Sequence, residues 1–268
     1  MKRMETLTLV VMGGLAGVMA GLLGIGGGAL IVPVLVMVFE AQHVNPDVIM
    51  QAALGTSMAT IVFTAVSSVL AHQRRSAVIW SIFRTITPGI VVGSLLGASI
   101  AHVLAGRTLR IMFVVFMFLL ALQMSRGTMA TSAHRRRLPG AAGVSSVGGV
   151  IGLMSAFFGI GGGSMSVPFM TWFGVPARQA IATSAAIGFP IALSAAVGFV
   201  VAGWNADGLP PWSVGYVVLP AFAGIVVASM LAAPFGARLA HRLSDATLRR
   251  IFAGFVTILG VKMLWSLL

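Results

Sequence analysis

One glycine-rich motif occurs twice in this chain, each time inside a long apolar run. Residues 21–33 read GLLGIGGGALIVP, and residues 156–168, which begin 135 positions further on, read AFFGIGGGSMSVP. Each glycine disfavours a helix by about 1 kcal/mol relative to alanine, so both runs are expected to break at the motif. Lipid cannot satisfy the backbone groups that a break releases. Each break must therefore contact protein, water or a polar ligand.

The composition requires lipid as the surrounding solvent. Of the 268 residues, 58% are hydrophobic and only 8% are charged. Runs without any charged residue are long enough to cross a bilayer, which takes roughly 20 residues. They cover residues 6–39, 48–73, 85–106, 138–177, 179–206 and 208–237, and two shorter apolar stretches cover residues 111–125 and 251–268.

Three more landmarks repeat in the same order after the glycine motif. Residues 50–57 resemble 177–184, residues 89–98 resemble 224–233, and residues 108–110 resemble 247–249. We therefore predict an all-α polytopic membrane protein with two homologous halves. Each half has a glycine-broken, hairpin-like segment followed by three transmembrane helices. The predicted parts are an N-terminal repeat (1–125), a basic cytoplasmic linker (126–139) and a C-terminal repeat (140–268).

The positions of the basic residues favour inverted halves. The net charge of +12 does not predict nucleic-acid binding, because the arginines fall between the spans. If the second broken segment returns to the side it entered, Arg178 and the basic residues of 135–137 and 238–250 are all cytoplasmic. If residues 6–39 also return to the side they entered, the two halves cross the membrane in opposite orientations, as in many transporters. Arg107 and Arg110 lie outside in every topology considered, where the positive-inside rule does not expect arginines.

The length of the first run also requires a fold-back or a steep tilt. A straight helix over residues 6–39 would be about 50 Å long, against a hydrocarbon core of about 30 Å. A hairpin of two half-helices meeting at residues 24–28 fits this length. A kinked span with a steep tilt remains the alternative.

A helix that starts after such a break directs unpaired N–H groups and a partial positive charge at the break. This arrangement can bind an anion without a charged side chain. The candidate binding residues are Gly24, Gly26, Gly27, Gly28, Thr56 and Ser57 in the first half, and Gly159, Gly161, Gly162, Gly163, Ser164, Ser166, Thr183 and Ser184 in the second. Under the alternative interpretation the glycines only let helices pack closely, and the Thr-Ser pairs bond their own helix backbone.

Residue types needed for several other functions are missing from the sequence. The chain has no cysteine, no pair of carboxylates inside a span and no His-x-x-x-His motif, so neither a metal site nor a catalytic residue is predicted. No Gly-Lys-Ser/Thr follows the glycines, which excludes a P-loop. We expect a protein that is not an enzyme and needs no cofactor.

The doubled Gly-Ile-Gly-Gly-Gly, each followed by Val-Pro and later by Thr-Ser, resembles the TauE/SafE family of sulfite exporters. The resemblance extends from about residue 7 to residue 268. It implies a multi-pass protein of a bacterial inner membrane that transports small sulfur-containing anions such as sulfite, sulfoacetate or related organosulfonates. The predicted partners are that anion and the lipid bilayer, without nucleic acid, and a homo-oligomer is compatible with the sequence. An anion channel and a non-transporting membrane scaffold remain as alternatives.

Overall fold

The computed structural model describes residues 28–73, 78–125, 138–240 and 245–267. These residues form nine helices and one short β-hairpin. The helices are α1 (Gly28–Ala41), α2 (Pro46–Gln73), α3 (Trp80–Val103), α4 (Gly106–Ser125), α5 (Ala141–Phe158), α6 (Gly163–Trp172), α7 (Ala177–Ala202), α8 (Leu219–Ala240) and α9 (Asp245–Trp265), and the strands are β1 (Ser213–Val214) and β2 (Val217–Val218). The predicted site residues Gly24, Gly26 and Gly27 and residues 126–137 of the predicted linker lie outside the described residues.

The prediction of an all-α membrane protein is confirmed. Five helices are long and apolar enough to cross a bilayer, namely the segments Pro46–Val69, Trp80–Val103, Gly106–Ser125, Ala141–Phe158 and Ala177–Ala202. The apolar segments described within α8 and α9, Leu219–Ser229 and Phe252–Trp265, are shorter. The first half thus contains its three predicted spans, α2, α3 and α4.

Helices α2 and α7 form the centre of the molecule and run antiparallel to each other. Gly55, early in α2, lies against Phe199, late in α7. At the opposite end, Val69 of α2 packs with Ala182 and Ala186 of α7. The two helices occupy equivalent places in the two halves, since each follows the glycine-broken segment. Their antiparallel course is the one that inverted halves require.

Glycines bring α3 and α5 into backbone contact. A Cβ on Gly89 would lie 1.7 Å from the carbonyl oxygen of Ser145, and one on Gly93 would lie 2.0 Å from that of Gly149. A Cβ on Gly97 would meet the carbonyl oxygen of Leu153 at 2.7 Å. The residue numbers of the contacting pairs increase together along both helices, so α3 and α5 are parallel. Small residues at this spacing let transmembrane helices approach closely.

The β-hairpin between α7 and α8 packs against the end of α7 and the early part of α2. Strands β1 and β2 pair antiparallel, with Ser213 opposite Val218, and Gly215 has a positive φ of 54° at the turn. Tyr216 is buried, and burial raises the pKa of its phenol. The phenol oxygen lies 2.9 Å from Nδ1 of His102 at the end of α3. Through this contact the hairpin, which leads into α8, also packs against the end of α3.

Candidate functional site

The second glycine motif breaks the chain between α5 and α6. Gly159 ends α5 in the left-handed conformation with φ 59°, and Gly162 precedes α6 with φ 76°. The Ile160 N–H donates to the Ser155 carbonyl at 3.0 Å, and the Gly159 N–H donates to the Ala156 carbonyl at 3.4 Å. This pair of bonds is a Schellman motif, which requires a left-handed residue that glycine adopts without strain. The predicted break is therefore confirmed in the second half.

The chain reverses direction at this break. A Cβ on Gly162 would lie 3.5 Å from Ser155 Oγ and 3.7 Å from Ile151 Cγ2. In a continuous helix, residues 151 and 162 would lie about 16 Å apart along the axis. The second segment is therefore a hairpin and not a kinked span.

The two arms of this hairpin are unequal in length. Helix α5 has 18 residues, about 27 Å, whereas α6 has only 10 residues, about 15 Å. The long arm keeps its helix through Gly148, Gly149 and Gly152 because these glycines pack against the backbone of α3. Glycine content alone did not distinguish a packed helix from a break.

The first turn of α6 carries unpaired N–H groups. The N–H groups of Met165 and Ser166 both donate to the Gly162 carbonyl, at 3.1 and 2.9 Å. Gly163 and Ser164 are the first two residues of the helix, so their N–H groups have no acceptor within it. No bond from them to the described residues is found, and Gly163 is buried. A buried helix end of this kind has the geometry of an anion site.

Three of the predicted serines surround this hairpin. Ser57 Oγ of α2 donates to the Gly159 carbonyl at 3.1 Å, and Ser166 Oγ donates to the Gly162 carbonyl at 2.9 Å. Ser166 Oγ also lies 2.7 Å from Ser184 Oγ of α7. These hydroxyls hold the loop and the short arm in place.

The two predicted threonines cap spans of the opposite halves. Thr56 Oγ1 accepts the N–H of Val218, which precedes α8, at 3.0 Å. Thr183 Oγ1 accepts the N–H of Ile79, which precedes α3, at 2.9 Å. Neither hydroxyl is found in a bond to the carbonyl four residues earlier in its own helix, the arrangement that the alternative interpretation expected. The contacts are equivalent in the two halves.

The two glycine motifs meet at Gly28 and Gly159. A Cβ on Gly28 would lie 2.0 Å from the Gly159 carbonyl oxygen, and one on Gly159 would lie 2.5 Å from Cγ2 of Val32. Both Gly28 and Val32 belong to α1. The equivalent motifs of the two halves are therefore in backbone contact.

A cavity of about 480 Å³ lies beside the short arm. Its walls are apolar and include the stacked rings of Phe116 and Phe158, whose centroids are 4.0 Å apart. Ser164 and Met165, in the first turn of α6, also line it. The cavity thus extends to the helix end that carries the unpaired N–H groups.

The described part of the site contains no charged side chain. Its positive potential comes from the backbone of α6, whose dipole has its positive end at Gly163. Among the described residues, no group of three or more His, Cys, Asp or Glu side chains is placed to hold a metal ion.

Sequence reasoning missed Ser155. This residue is 2% exposed, and its Oγ has no hydrogen-bond partner among the residues that the structure describes. It lies one turn before Gly159, where the sequence resembles any other apolar helix with a small residue. Its equivalent position in the first half, by the 135-residue offset, is Ala20. No sequence signal marked Ser155, because its importance depends on the chain reversal.

Comparison with known proteins gives a family match over nearly the whole chain. The family model described as "Sulfite exporter TauE/SafE" matches residues 9–263. A "Probable membrane transporter protein" of Haemophilus influenzae is 35% identical over 260 residues, which cover 96% of this chain and 97% of the relative.

More distant relatives carry similar names. "Probable membrane transporter protein YunE" of Bacillus subtilis is 32% identical over 75% of this chain and 80% of its own length. "Probable membrane transporter protein MJ0441" of Methanocaldococcus jannaschii is 24% identical over 96% of this chain and 94% of its own. No solved structure matches the chain.

Proposed function

This chain belongs to the sulfite exporter TauE/SafE family of membrane transporters, and we propose that it carries a small sulfur-containing anion across a bacterial inner membrane. The substrate class is sulfite, sulfoacetate or a related organosulfonate, and the direction is export. The observation that carries the proposal is the buried start of α6, directly after the left-handed Gly162. There the N–H groups of Gly163 and Ser164 have no partner among the described residues.

The anion would bind to backbone N–H groups and not to a cation. The N–H groups of Gly163 and Ser164 supply two donors, and the dipole of α6 favours negative charge at the same point. The cavity beside Ser164 leaves room for the organic part of a sulfonate. We propose Ser57, Ser166 and Ser184 as supports of this loop, and Thr56 and Thr183 as structural caps.

Transport would proceed by alternating access around the contact between the two broken segments. Discontinuous helices near the midplane, with their N-terminal ends aimed at an anionic group, form the substrate sites of several transporters with inverted repeats. An inside-negative potential drives anion export by about 2.3 kcal/mol per charge per 100 mV. Export would therefore not need a carboxylate that relays protons.

Transport assays in liposomes test this proposal. Protein reconstituted into liposomes loaded with sulfite or sulfoacetate should give saturable efflux, accelerated by an inside-negative potential, and should show counterflow of labelled anion. A channel would conduct without counterflow. A scaffold protein would give no flux and no change in melting temperature with any of these anions.

Two glycine variants locate the site within this assay. Gly162→Ala places a Cβ at φ 76° and 2.3 Å from Cδ1 of Ile191, so it should disturb the start of α6. Gly174→Ala is the matched control, because Gly174 has φ 80° but no atom within 4 Å of the added Cβ. We expect Gly162→Ala to lower anion affinity about tenfold or more, which corresponds to only about 1.4 kcal/mol, while Gly174→Ala keeps wild-type affinity. Equal affinities in the two variants would contradict the proposed location.

A further inference from the structure

Among the described helices, Ser155 shares with Ser94 a buried hydroxyl that has no hydrogen-bond partner, whereas several other buried hydroxyl groups bond a carbonyl of their own helix. Ser194 and Thr60 donate to carbonyls four residues earlier in their own helices, at 2.5 and 2.8 Å. Ser155 makes no such bond, and its buried Oγ has no partner within the described part of the chain. An unsatisfied buried hydroxyl is costly, so an orphaned one in a native protein needs an explanation.

The hydroxyl of Ser155 lies beside Gly162, the residue that precedes α6. Its Oγ lies 3.5 Å from the position that a Cβ on Gly162 would occupy, and Gly162 is the residue that precedes α6. The N–H groups of Gly163 and Ser164, which follow directly, also lack partners among the described residues. Three donors without a partner among the described residues thus lie on the two arms of one hairpin, on either side of Gly162.

We propose that Ser155 is an anion-binding residue whose hydroxyl donates to the transported oxyanion. This inference rests on the proposed function and adds a donor from α5 to those of α6. Donors that approach from two helices match an anion with several acceptor oxygens, such as a sulfite or a sulfonate. A halide ion is a single acceptor and uses such a set less well. Ser155 is therefore a specificity-determining residue for sulfur oxyanions over halides.

The substitution Ser155→Ala tests the inference, since it removes only an unpartnered hydroxyl. The folded protein without ligand should melt at the same temperature as wild type or higher, because no bond is lost. Affinity for sulfite and for methanesulfonate should fall roughly tenfold or more, the loss expected for one hydrogen bond to a charged group. In liposomes the KM should rise with little change in maximal rate. Affinity for chloride should change less than affinity for sulfite.

Ser94→Ala is the matched control. Ser94 is also fully buried with an unpartnered Oγ, but it lies on α3 against Gly152, away from the start of α6. This variant should keep wild-type affinity for both anions. Ser155→Cys, which retains a weak donor, should bind with intermediate affinity.

The outcomes separate this inference from the function on which it rests. If wild type binds sulfite and methanesulfonate and Ser155→Ala binds them equally well, the role of Ser155 is wrong and the α6 site stands. If Ser155→Ala and Ser94→Ala lose affinity equally, the effect is not specific to the hairpin, and the role of Ser155 is again wrong. If wild type binds neither anion, the proposed function itself fails.

Discussion

At the scale of single residues, the contact between Gly28 and Gly159 holds the two broken segments together. A Cβ at position 28 would lie 2.0 Å from a backbone oxygen, which no side-chain movement can relieve. Ile61 Cδ1 would lie only 2.9 Å from the same Cβ. The glycine is required here by space, because α1 and the hairpin loop touch through their backbones.

Gly28→Ala should therefore destabilise the protein by about 1 to 3 kcal/mol, the usual cost of overpacking. Gly254→Ala is the control, because a Cβ at position 254 in α9 meets nothing within 4 Å. Alanine favours a helix over glycine, so that change should be neutral or stabilising by up to about 1 kcal/mol. Melting temperatures of the purified variants measure both effects. Equal melting temperatures would show that the segments are not in contact at Gly28.

Much of the site at residue scale could be predicted, because glycine has a strong local effect. The motif identified both positions with positive φ, Gly159 and Gly162, and the serines that follow them. It did not identify Ser155, whose partner-free hydroxyl depends on the reversal of the chain. Residues far apart along the chain, such as Ser57 and Gly159, could be brought together only by tertiary packing.

At the scale of helices, Thr56 and Thr183 each bond the residue before a span of the other half. The N–H groups at a helix start lack partners inside the helix, so a hydroxyl from a neighbouring helix can satisfy one of them. Thr56 serves the start of α8, and Thr183 serves the start of α3. Each half thus fixes the starting point of one helix in the other.

Thr56→Val and Thr183→Val should each destabilise the protein by about 1 kcal/mol, within the range measured for helix caps. Anion affinity should stay within about twofold of wild type, because neither hydroxyl is proposed to bind the anion. Thr60→Val is the control, since the Thr60 hydroxyl bonds only a carbonyl of its own helix. Thermal unfolding and sulfite titration of the three variants provide the measurements. A large loss of anion affinity in Thr56→Val would show that Thr56 binds the anion and is not only a structural cap.

Hydropathy predicted the helices well but not how they pack. The three spans of the first half overlap the predicted runs and each begin two to five residues earlier, since lipid requires long apolar segments. The length of α5 and the β-hairpin before α8 were not predicted. Both depend on contacts between distant segments, namely the glycines of α3 against α5, and the packing of Tyr216 against α2 and α7.

At the scale of the whole molecule, the structure explains one arginine that resisted the predicted orientation. Arg110 forms an ion pair with Glu40 at 2.6 Å and also bonds Ser266. The predicted topology places both charged residues outside. The ion pair shows how the charge of Arg110 is satisfied in the folded protein. Inverted halves remain a prediction, favoured by the antiparallel course of α2 and α7.

The most direct test of the account is to locate a bound anion that contains selenium in place of sulfur. Crystals of the protein grown with selenite would show the selenium by anomalous scattering. The account predicts one strong peak at the start of α6, with anion oxygens about 2.7 to 3.2 Å from the backbone nitrogens of Gly163 and Ser164. A bound selenite beside Arg110, or elsewhere with the start of α6 empty, would contradict it.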